Sequence, residues 1–479
     1  MNKAKLTVKI IALTLAVIMP FVAVFAVAFL LPAEFDESFA GALDEKLDRL
    51  HSISEDKIVI IGGSSAAFGY DSKFIEKYLG MPVVNLGLYA ALGTKIMLDL
   101  SRDGIEDGDI VIIAPELDAQ TLSMYFSAST ALRALDGSPK YLLDIPTEHT
   151  VSLLGQSWSF AAEKLNYKLM GSPEYEGIYN SQSFNKYGDV GVERPENLME
   201  QYYEPNILID LDSSIVDKEF LDYLNEYIAY CKSVGARVFF QFCPMNRLGL
   251  NERSLDEEKR YAFEKYLRKN LDCTLIASSI EDYIYDEAYF YDSNFHLNST
   301  GASMHTMNVT RDLLLELEIP RSIEEELPSP PPLPKRDIKF FGEDENAVFF
   351  EYEKLESGAY RIIGVADEYK DEKTLTVPLG YNGYKVTAIG SEFLRGSDAE
   401  KLIVTENTNL RQIDNGAFLG ASSLSELWMC YKAAEDIPPP LDFEGVAEDF
   451  KVYIPIDSNY KIGGYYWSER GLTFEYIMN

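Results

Sequence analysis

Short apolar runs alternate with amphipathic segments over residues 57–318. The runs 57–65, 109–114 and 236–243 read K-I-V-I-I-G-G-S-S, D-I-V-I-I-A and A-R-V-F-F-Q-F-C, and each begins with a core of strand length. Strands this apolar are typical of parallel sheets covered by helices on both faces. The pattern adds a short strand at 82–85 and predicts helices at 72–79, 92–102, 217–234, 255–269 and 299–317. The alternation predicts a three-layer α/β domain.

Composition shifts mark the domain boundaries. The stretch 328–334 reads P-S-P-P-P-L-P, which is typical of a stiff, solvated spacer. We therefore place the α/β domain at 57–320, a linker at 321–337 and a second domain at 338–479. Residues 120–215 are rich in Tyr, Ser and Asn and are expected to form an insertion over the carboxyl edge of the sheet.

The N-terminus carries a run of 22 uncharged residues, 10–31. A helix of that length spans a hydrocarbon core of roughly 30 Å. Lysines precede the run and acidic residues follow it, which predicts a cytoplasmic tail and anchor at 1–34 with the bulk of the chain outside the cell. A cleaved signal peptide is the alternative, although its apolar stretch is usually about 7–15 residues. The charged residues 35–56 are expected to form a stalk or short helix.

The second domain shows weak internal self-similarity, because residues 386–396 are echoed by 410–420. The matching pairs lie 24 or 25 residues apart: Ile389 and Ile413, Phe393 and Phe418, Leu402 and Leu427. That period is typical of leucine-rich repeats. Together with V-Y-I-P at 452–455, the pattern resembles the BspA-like leucine-rich repeats of bacterial surface proteins. The resemblance implies a β-rich module that binds a surface or a protein partner.

Charge and cysteine content narrow the function classes. The chain has 43 Lys and Arg against 77 Asp and Glu, a formal net charge of −34. An acidic surface of this size repels phosphate backbones, so nucleic acid is excluded as an expected partner. The four cysteines lack the paired spacing of a zinc site and are expected to be buried free thiols: Cys231, Cys243, Cys273 and Cys430.

Ser64 is the candidate nucleophile. It follows Gly62 and Gly63 at the turn after a buried strand, where a hydroxyl is exposed at the carboxyl edge of the sheet. A serine nucleophile needs a base, a carboxylate that orients the base, and donors for the oxyanion. His296 is the candidate base and Asp292, four residues earlier, its partner. Ser65, in the same turn, is the alternative nucleophile.

Candidate oxyanion donors lie on neighbouring loops. The backbone N–H of Gly87, in N-L-G after the second strand, can approach a carbonyl oxygen unobstructed. Asn185 and Asp189 fit ordinary turn chemistry better than a place in the cleft.

These motifs resemble the SGNH/GDSL hydrolase superfamily, in its membrane-anchored branch. The resemblance covers roughly 57–118 and 236–306, with G-G-S-S-A-A-F-G at 62–69 in place of G-D-S-L. It implies a flavodoxin-like fold and roles for Ser64 as nucleophile, Gly87 as oxyanion donor, and His296 and Asp292 as base and partner. It also implies metal-free and cofactor-free transfer or hydrolysis of ester-linked acyl groups. Anchored branches act on surface polysaccharides.

The chain departs from the family pattern in two places. The third strand leads into A-P-E-L-D at 114–118, which puts Glu116 where the family has an Asn. A carboxylate there opposes an oxyanion, whereas a protonated acid donates to it; Asn246, in C-P-M-N, is a candidate substitute donor. The second departure is the spacing D-x-x-x-H in place of D-x-x-H.

The sequence therefore predicts an enzyme of the plasma membrane, with a single span and its bulk extracytoplasmic. It is expected to hydrolyse or transfer acyl esters on a cell-surface glycan, with the repeat domain holding a glycan or a protein partner. The alternative is an inactive scaffold of the same fold whose repeats serve adhesion.

Overall fold

The computed structural model describes residues 3–171, 175, 177–355, 357–441, 443–461 and 466–477. It contains two compact units. The N-terminal unit comprises Met1–Asn197 and Ile209–Pro332, and the C-terminal unit comprises Leu198–Leu208 and Leu333–Asn479. The break between 332 and 333 falls inside the predicted linker, whereas the transfer of Leu198–Leu208 to the C-terminal unit corrects the continuous 57–320 domain.

The N-terminal unit alternates strands and helices. Its strands are β1 (Ile58–Ile61), β2 (Val83–Asn85), β3 (Ile110–Ile113), β4 (Arg237–Phe240), β5 (Met245–Asn246), β6 (Thr274–Leu275) and β7 (Ile284–Tyr285). Its helices are α1 (Lys3–Leu30), α2 (Leu43–Ser52), α3 (Ser64–Gly69), α4 (Ser72–Leu79), α5 (Thr94–Ser101), α6 (Ala128–Ala134), α7 (Thr150–Met170), α8 (Lys218–Ser233), α9 (Glu257–Asn270) and α10 (Ser299–Glu316).

A parallel sheet in the order β2-β1-β3-β4-β6 forms the centre of this unit. Every residue of β1 and β3 is buried, because β-branched Ile and Val fill both faces. Helices α2, α5 and α8 pack on one another and on the sheet, while α10 packs on α3 and α4. The predicted mixed α/β class with a parallel sheet is confirmed. The strand order reverses between β1 and β3, which opens a crevice beyond their carboxyl ends.

Helix α2 lies within residues 35–56, which were predicted to form a stalk or short helix, and it packs into the core. Its apolar face is fully buried, with Leu43, Leu47 and Leu50 at most 1% exposed. The helix packs against β2 and α5. The spacing of these leucines gives one apolar face, so residues 43–52 belong to the core of the N-terminal unit instead of extending into solvent.

The predicted transmembrane segment, residues 10–31, coincides largely with α1. In the described part of the chain, no helix has both the length and the apolar character needed to cross a bilayer. The end of α1 packs on the N-terminal unit: Ala28 is fully buried, and the ring of Phe29 lies 5.2 Å from that of Phe160 in α7.

The C-terminal unit is rich in strands. They are β8 (Phe350–Lys354), β9 (Tyr360–Val365), β10 (Thr374–Thr376), β11 (Gly380–Tyr381), β12 (Tyr384–Ile389), β13 (Lys401–Val404), β14 (Gln412–Ile413), β15 (Glu426–Met429), β16 (Lys451–Ile454) and β17 (Phe474–Tyr476). One sheet, in the order β10-β13-β15-β16-β17, is entirely parallel. A second sheet has the order β11-β12-β9-β8, with β14 on β12.

The residues that repeat in the sequence lie beside one another in these sheets. Leu402 pairs with Leu427, and Ile389 pairs with Ile413. The rings of Phe393 and Phe418 lie 6.2 Å apart. All six side chains are at most 1% exposed. Equivalent residues of successive sequence repeats therefore stack into one core, which a single repeat is too small to form.

Leu198–Leu208 completes the C-terminal unit through backbone contacts. The side chain of Asn206 donates to the carbonyl of Ile413 at 3.2 Å and accepts from the amide of Asn415 at 3.0 Å. Arg336 donates to the carbonyl of Met199. These bonds explain why a segment from the middle of the α/β sequence folds with the repeats.

Leu402→Ala tests the stacked core of the C-terminal unit. Removing a fully buried leucine leaves a cavity, and we expect a loss of about 2–5 kcal/mol in the free energy of unfolding. Urea unfolding of the full chain, followed by the fluorescence of Trp428 and Trp467, measures it. The control is Leu441→Ala, because Leu441 is 53% exposed. Equal losses in the two variants would contradict the stacked core.

Candidate active site

Two glycines set the position of Ser64, the first residue of α3. A Cβ on Gly62 would lie 2.3 Å from the carbonyl oxygen of Ala114. A Cβ on Gly63 would lie 2.1 Å from Oε2 of Glu116. The turn after β1 thus packs closely against the segment after β3: a side chain at Gly62 would clash with backbone, and one at Gly63 would displace the Glu116 carboxyl group.

Ser64, His296 and Asp292 form a hydrogen-bonded relay. The Ser64 Oγ lies 2.7 Å from Nε2 of His296, and Nδ1 of the same ring lies 2.8 Å from Oδ1 of Asp292. With Nδ1–H donating to the carboxylate, Nε2 is free to accept the serine proton. The four-residue spacing between Asp292 and His296 therefore fits this geometry, and Ser64, instead of Ser65, contacts the imidazole.

The loop that carries His296 is closed at both ends. The Tyr291 amide donates to the His296 carbonyl at 2.8 Å. The side chain of Asn298 accepts from the Gly301 amide at 2.9 Å and so caps α10. Phe68 stacks on the imidazole, with ring centres 4.2 Å apart and planes 10° apart. These contacts hold the ring in one orientation towards Ser64.

Tyr179 and Arg194 support the relay, and the sequence analysis did not identify them. Tyr179 donates its hydroxyl to the Oδ2 of Asp292 and lies 3.3 Å from Nδ1 of His296. The buried guanidinium of Arg194 donates to the carbonyls of Leu297 and Phe68, at 3.1 and 3.3 Å. Arg194 thereby ties the histidine loop to α3. Both residues come from the insertion, where no motif distinguishes them.

Lys46 anchors the loop after β2. Its ammonium donates to the carbonyls of Asn85 (3.1 Å), Gly87 (2.7 Å) and Gly188. Desolvation lowers the pKa of this fully buried lysine to about 7, and the nearby Asp189 opposes that shift. Three carbonyl acceptors require all three ammonium protons, so the bonds are complete in the charged form.

Asn85 and Asp189 extend this anchor to α3. The Asn85 side chain donates to the Ala66 carbonyl and to the Asp189 Oδ1, both at 2.9 Å. Asp189 also accepts the amide and hydroxyl of Ser72. Burial raises the pKa of Asp189, and its hydrogen bonds lower it. Asn185 accepts from the Tyr187 amide at 2.8 Å, which is the predicted turn chemistry.

The structure assigns Gly87 and Asn246 to local structure. The Gly87 amide donates to Oδ1 of Asn85 at 2.8 Å, so the expected oxyanion donor already has an acceptor. A Cβ on Gly87 would lie 2.6 Å from the Cβ of Ala66, so the glycine permits close packing on α3. Asn246 accepts from the Leu248 amide at 3.0 Å and caps a 3-10 turn. The Gly87 amide and the Asn246 Oδ1 therefore take part in local hydrogen bonds, and the oxyanion-donor roles of these two residues stay a prediction.

Glu116 lies beside Ser64. Its Oε1 accepts the Ser65 amide at 2.7 Å and lies 3.3 Å from the Ser64 Oγ. Only 3% of the residue is exposed, and this burial raises the pKa of its carboxyl group. The site as a whole is enclosed, since Ser64 is 9% and His296 5% exposed.

Comparison with protein-family models, curated proteins and solved structures finds no match to this chain. Within the described residues, no group of three or more His, Cys, Asp or Glu side chains is arranged to hold a metal ion. The cysteines are free, with Cys231 and Cys243 buried and Cys273 and Cys430 only partly so.

Lys46→Met tests the anchor. The change leaves three buried carbonyls without their donor, and we expect a loss of about 3 kcal/mol in the free energy of unfolding. Urea unfolding of the full chain measures it. The control is Lys140→Met, since the Lys140 side chain is 61% exposed and its ion pair with Asp48 is worth less than about 1 kcal/mol. A similar loss in both variants would contradict the anchor.

Proposed function

We propose that the chain is a serine acyl ester hydrolase or O-acyltransferase that works through an acyl-enzyme. The observation that carries this proposal is the relay itself: Ser64 Oγ to His296 Nε2 at 2.7 Å, and His296 Nδ1 to Asp292 Oδ1 at 2.8 Å. A hydroxyl, an imidazole and a carboxylate in this order have the geometry of general-base activation of a nucleophile.

In this mechanism Ser64 Oγ forms a bond to the ester carbonyl carbon while His296 Nε2 takes the hydroxyl proton. The tetrahedral intermediate collapses, the ester C–O bond breaks, and His296 returns the proton to the leaving alcohol. Asp292 stabilises the imidazolium between these steps. Water then releases the acyl group in a hydrolase, and a sugar hydroxyl receives it in a transferase.

The substrate and the location are proposed from the sequence. The resemblance to anchored SGNH enzymes favours an O-acylated cell-surface glycan as substrate. The uncharged run at 10–31 and the charges on either side of it favour a single-pass protein of the plasma membrane with its bulk extracytoplasmic. The parallel ladder of the C-terminal unit is the proposed surface for a glycan or a protein partner.

A fluorophosphonate probe tests the nucleophile. We expect covalent labelling of the wild-type chain and loss of labelling in Ser64→Ala, because the probe traps a serine activated by His296. The readout is intact-protein mass, with the modified residue located by peptide mapping. Ser65→Ala is the matched control, since Ser65 is one residue away, is buried, and retains the amide that Glu116 accepts. Labelling of Ser64→Ala equal to that of wild type would contradict the assignment.

Asp292→Asn tests the orienting carboxylate. An amide at this position no longer stabilises the imidazolium, and we expect the second-order rate constant for p-nitrophenyl acetate to fall by about 10²–10⁴. The matched control is Asp286→Asn, because Asp286 caps a 3-10 turn at 287–289 outside the relay. If the two variants have the same rate constant, Asp292 has no part in the reaction.

An inactive scaffold with an adhesive C-terminal unit is the second candidate. One observation favours it: the Gly87 amide is bonded to Asn85 and the Ser65 amide to Glu116, so neither is open to an oxyanion. Absence of probe labelling on wild type, with p-nitrophenyl acetate cleaved no faster than by Ser64→Ala, would favour the scaffold.

A further inference from the structure

Glu116 is placed opposite Ser64 by the register of the sheet. Ile61 of β1 pairs with Ile113 of β3, and Ser64 and Glu116 each lie three residues beyond that pair. Parallel strands bring their carboxyl ends to the same edge, so the two side chains meet. The meeting is direct: Oε1 lies 3.3 Å from the Ser64 Oγ and 2.7 Å from the Ser65 amide nitrogen.

The two oxygens of this carboxyl group have different surroundings. Oε1 accepts the Ser65 N–H, whereas Oε2 is buried and has no hydrogen-bond partner in the described part of the chain. Oε2 lies over Gly63, whose missing side chain makes room for it. An ionised carboxylate would leave charge on a buried oxygen that no donor stabilises, which is costly. A proton on Oε2 removes that cost.

The groups that face Glu116 raise the pKa of its carboxyl group on balance. Burial is the largest influence and raises the pKa of the carboxyl group, and Asp118 on the same loop raises it further. The Ser65 amide and His296 across the site lower it. Cys243, after β4, faces Glu116, and burial keeps its thiol neutral by raising its pKa.

We propose that Glu116 is a neutral carboxylic acid in the working site and that its Oε2–H hydrogen-bonds to the oxyanion of the substrate. This inference rests on the proposed acyl transfer. As Ser64 bonds to the carbonyl carbon, the carbonyl π pair moves onto oxygen, and that pair returns when the leaving alcohol departs. Glu116 keeps its proton throughout. The terminal torsion angle of a glutamate has a broad distribution, so its carboxyl group rotates easily. When an ester displaces the contact between Glu116 and Ser64, the O–H of Glu116 turns from Gly63 towards Ser64.

Glu116→Gln and Glu116→Ala separate this role from simple packing. Gln keeps an acceptor for the Ser65 amide and carries a permanent N–H donor in place of Oε2–H. We expect Glu116→Gln to react with p-nitrophenyl acetate within about threefold of wild type at neutral pH, and Glu116→Ala to be about 10²–10³ slower. Wild type should lose rate at alkaline pH as Glu116 ionises, and Glu116→Gln should not.

Two controls separate a specific effect of Glu116 from a general effect of substitution. Glu264→Gln replaces another buried glutamate, on α9, and should keep the alkaline limb of wild type. Thermal unfolding of every full-length variant verifies that the change in rate is not a loss of fold. A Glu116→Ala rate equal to or above wild type would overturn the donor role, because the carboxyl group would then only block the site. A shared alkaline limb in wild type and Glu116→Gln would overturn it as well.

Infrared spectroscopy tests the protonation state without any reaction. The carbonyl stretch of a neutral carboxylic acid should be present in wild type at neutral pH and should decrease to the same extent in Glu116→Gln and in Glu116→Ala. Identical spectra in wild type and both variants would overturn the neutral acid. Failure of the proposed function is distinct, because wild-type Ser64 would then remain unlabelled by the fluorophosphonate.

Discussion

The contact between Ser64 and His296 joins the first strand of the sheet to a loop far along the chain, and the rest of the site is arranged to maintain it. Because His296 lies on a loop, the position of its ring depends on the contacts that neighbouring residues make with it. Phe68 fixes the plane of the ring, and Arg194 binds the backbone on both sides, at Leu297 and at Phe68. The segments that carry Ser64 and His296 are therefore held by the same guanidinium, although they lie far apart in the sequence.

A second constraint is the burial of titratable side chains. Three such side chains are at most 3% exposed: Lys46, Asp189 and Glu116. Each has a different set of hydrogen-bond partners. Lys46 uses three carbonyl acceptors, and Asp189 uses hydroxyl and amide donors. In the described part of the chain, the hydrogen-bond contacts of Glu116 lie at Oε1, with the Ser65 amide and the Ser64 hydroxyl, and Oε2 has none.

The site residues that directly follow strands could be predicted from the sequence. The site residues that lie in the insertion at 120–215 could not. Ser64 and Glu116 come directly after buried apolar runs, so the parallel sheet alone brings them together. His296 was found by its place before a helix. Tyr179 and Arg194 had no comparable signal, because aromatic and basic side chains in an irregular segment are common. The hydrogen bond from the Gly87 amide to the Asn85 side chain also had no signal in the sequence.

The assignment of Leu198–Leu208 to the C-terminal unit has a consequence for biosynthesis. This segment leaves the ribosome well before residues 333–479, which supply its partners Arg336 and Asn415. Until they emerge, the carbonyl of Met199 and the side chain of Asn206 lack these hydrogen bonds. Folding of Leu198–Leu208 into the C-terminal unit therefore waits for translation of residues 333–479, and premature termination would prevent this segment from forming those hydrogen bonds.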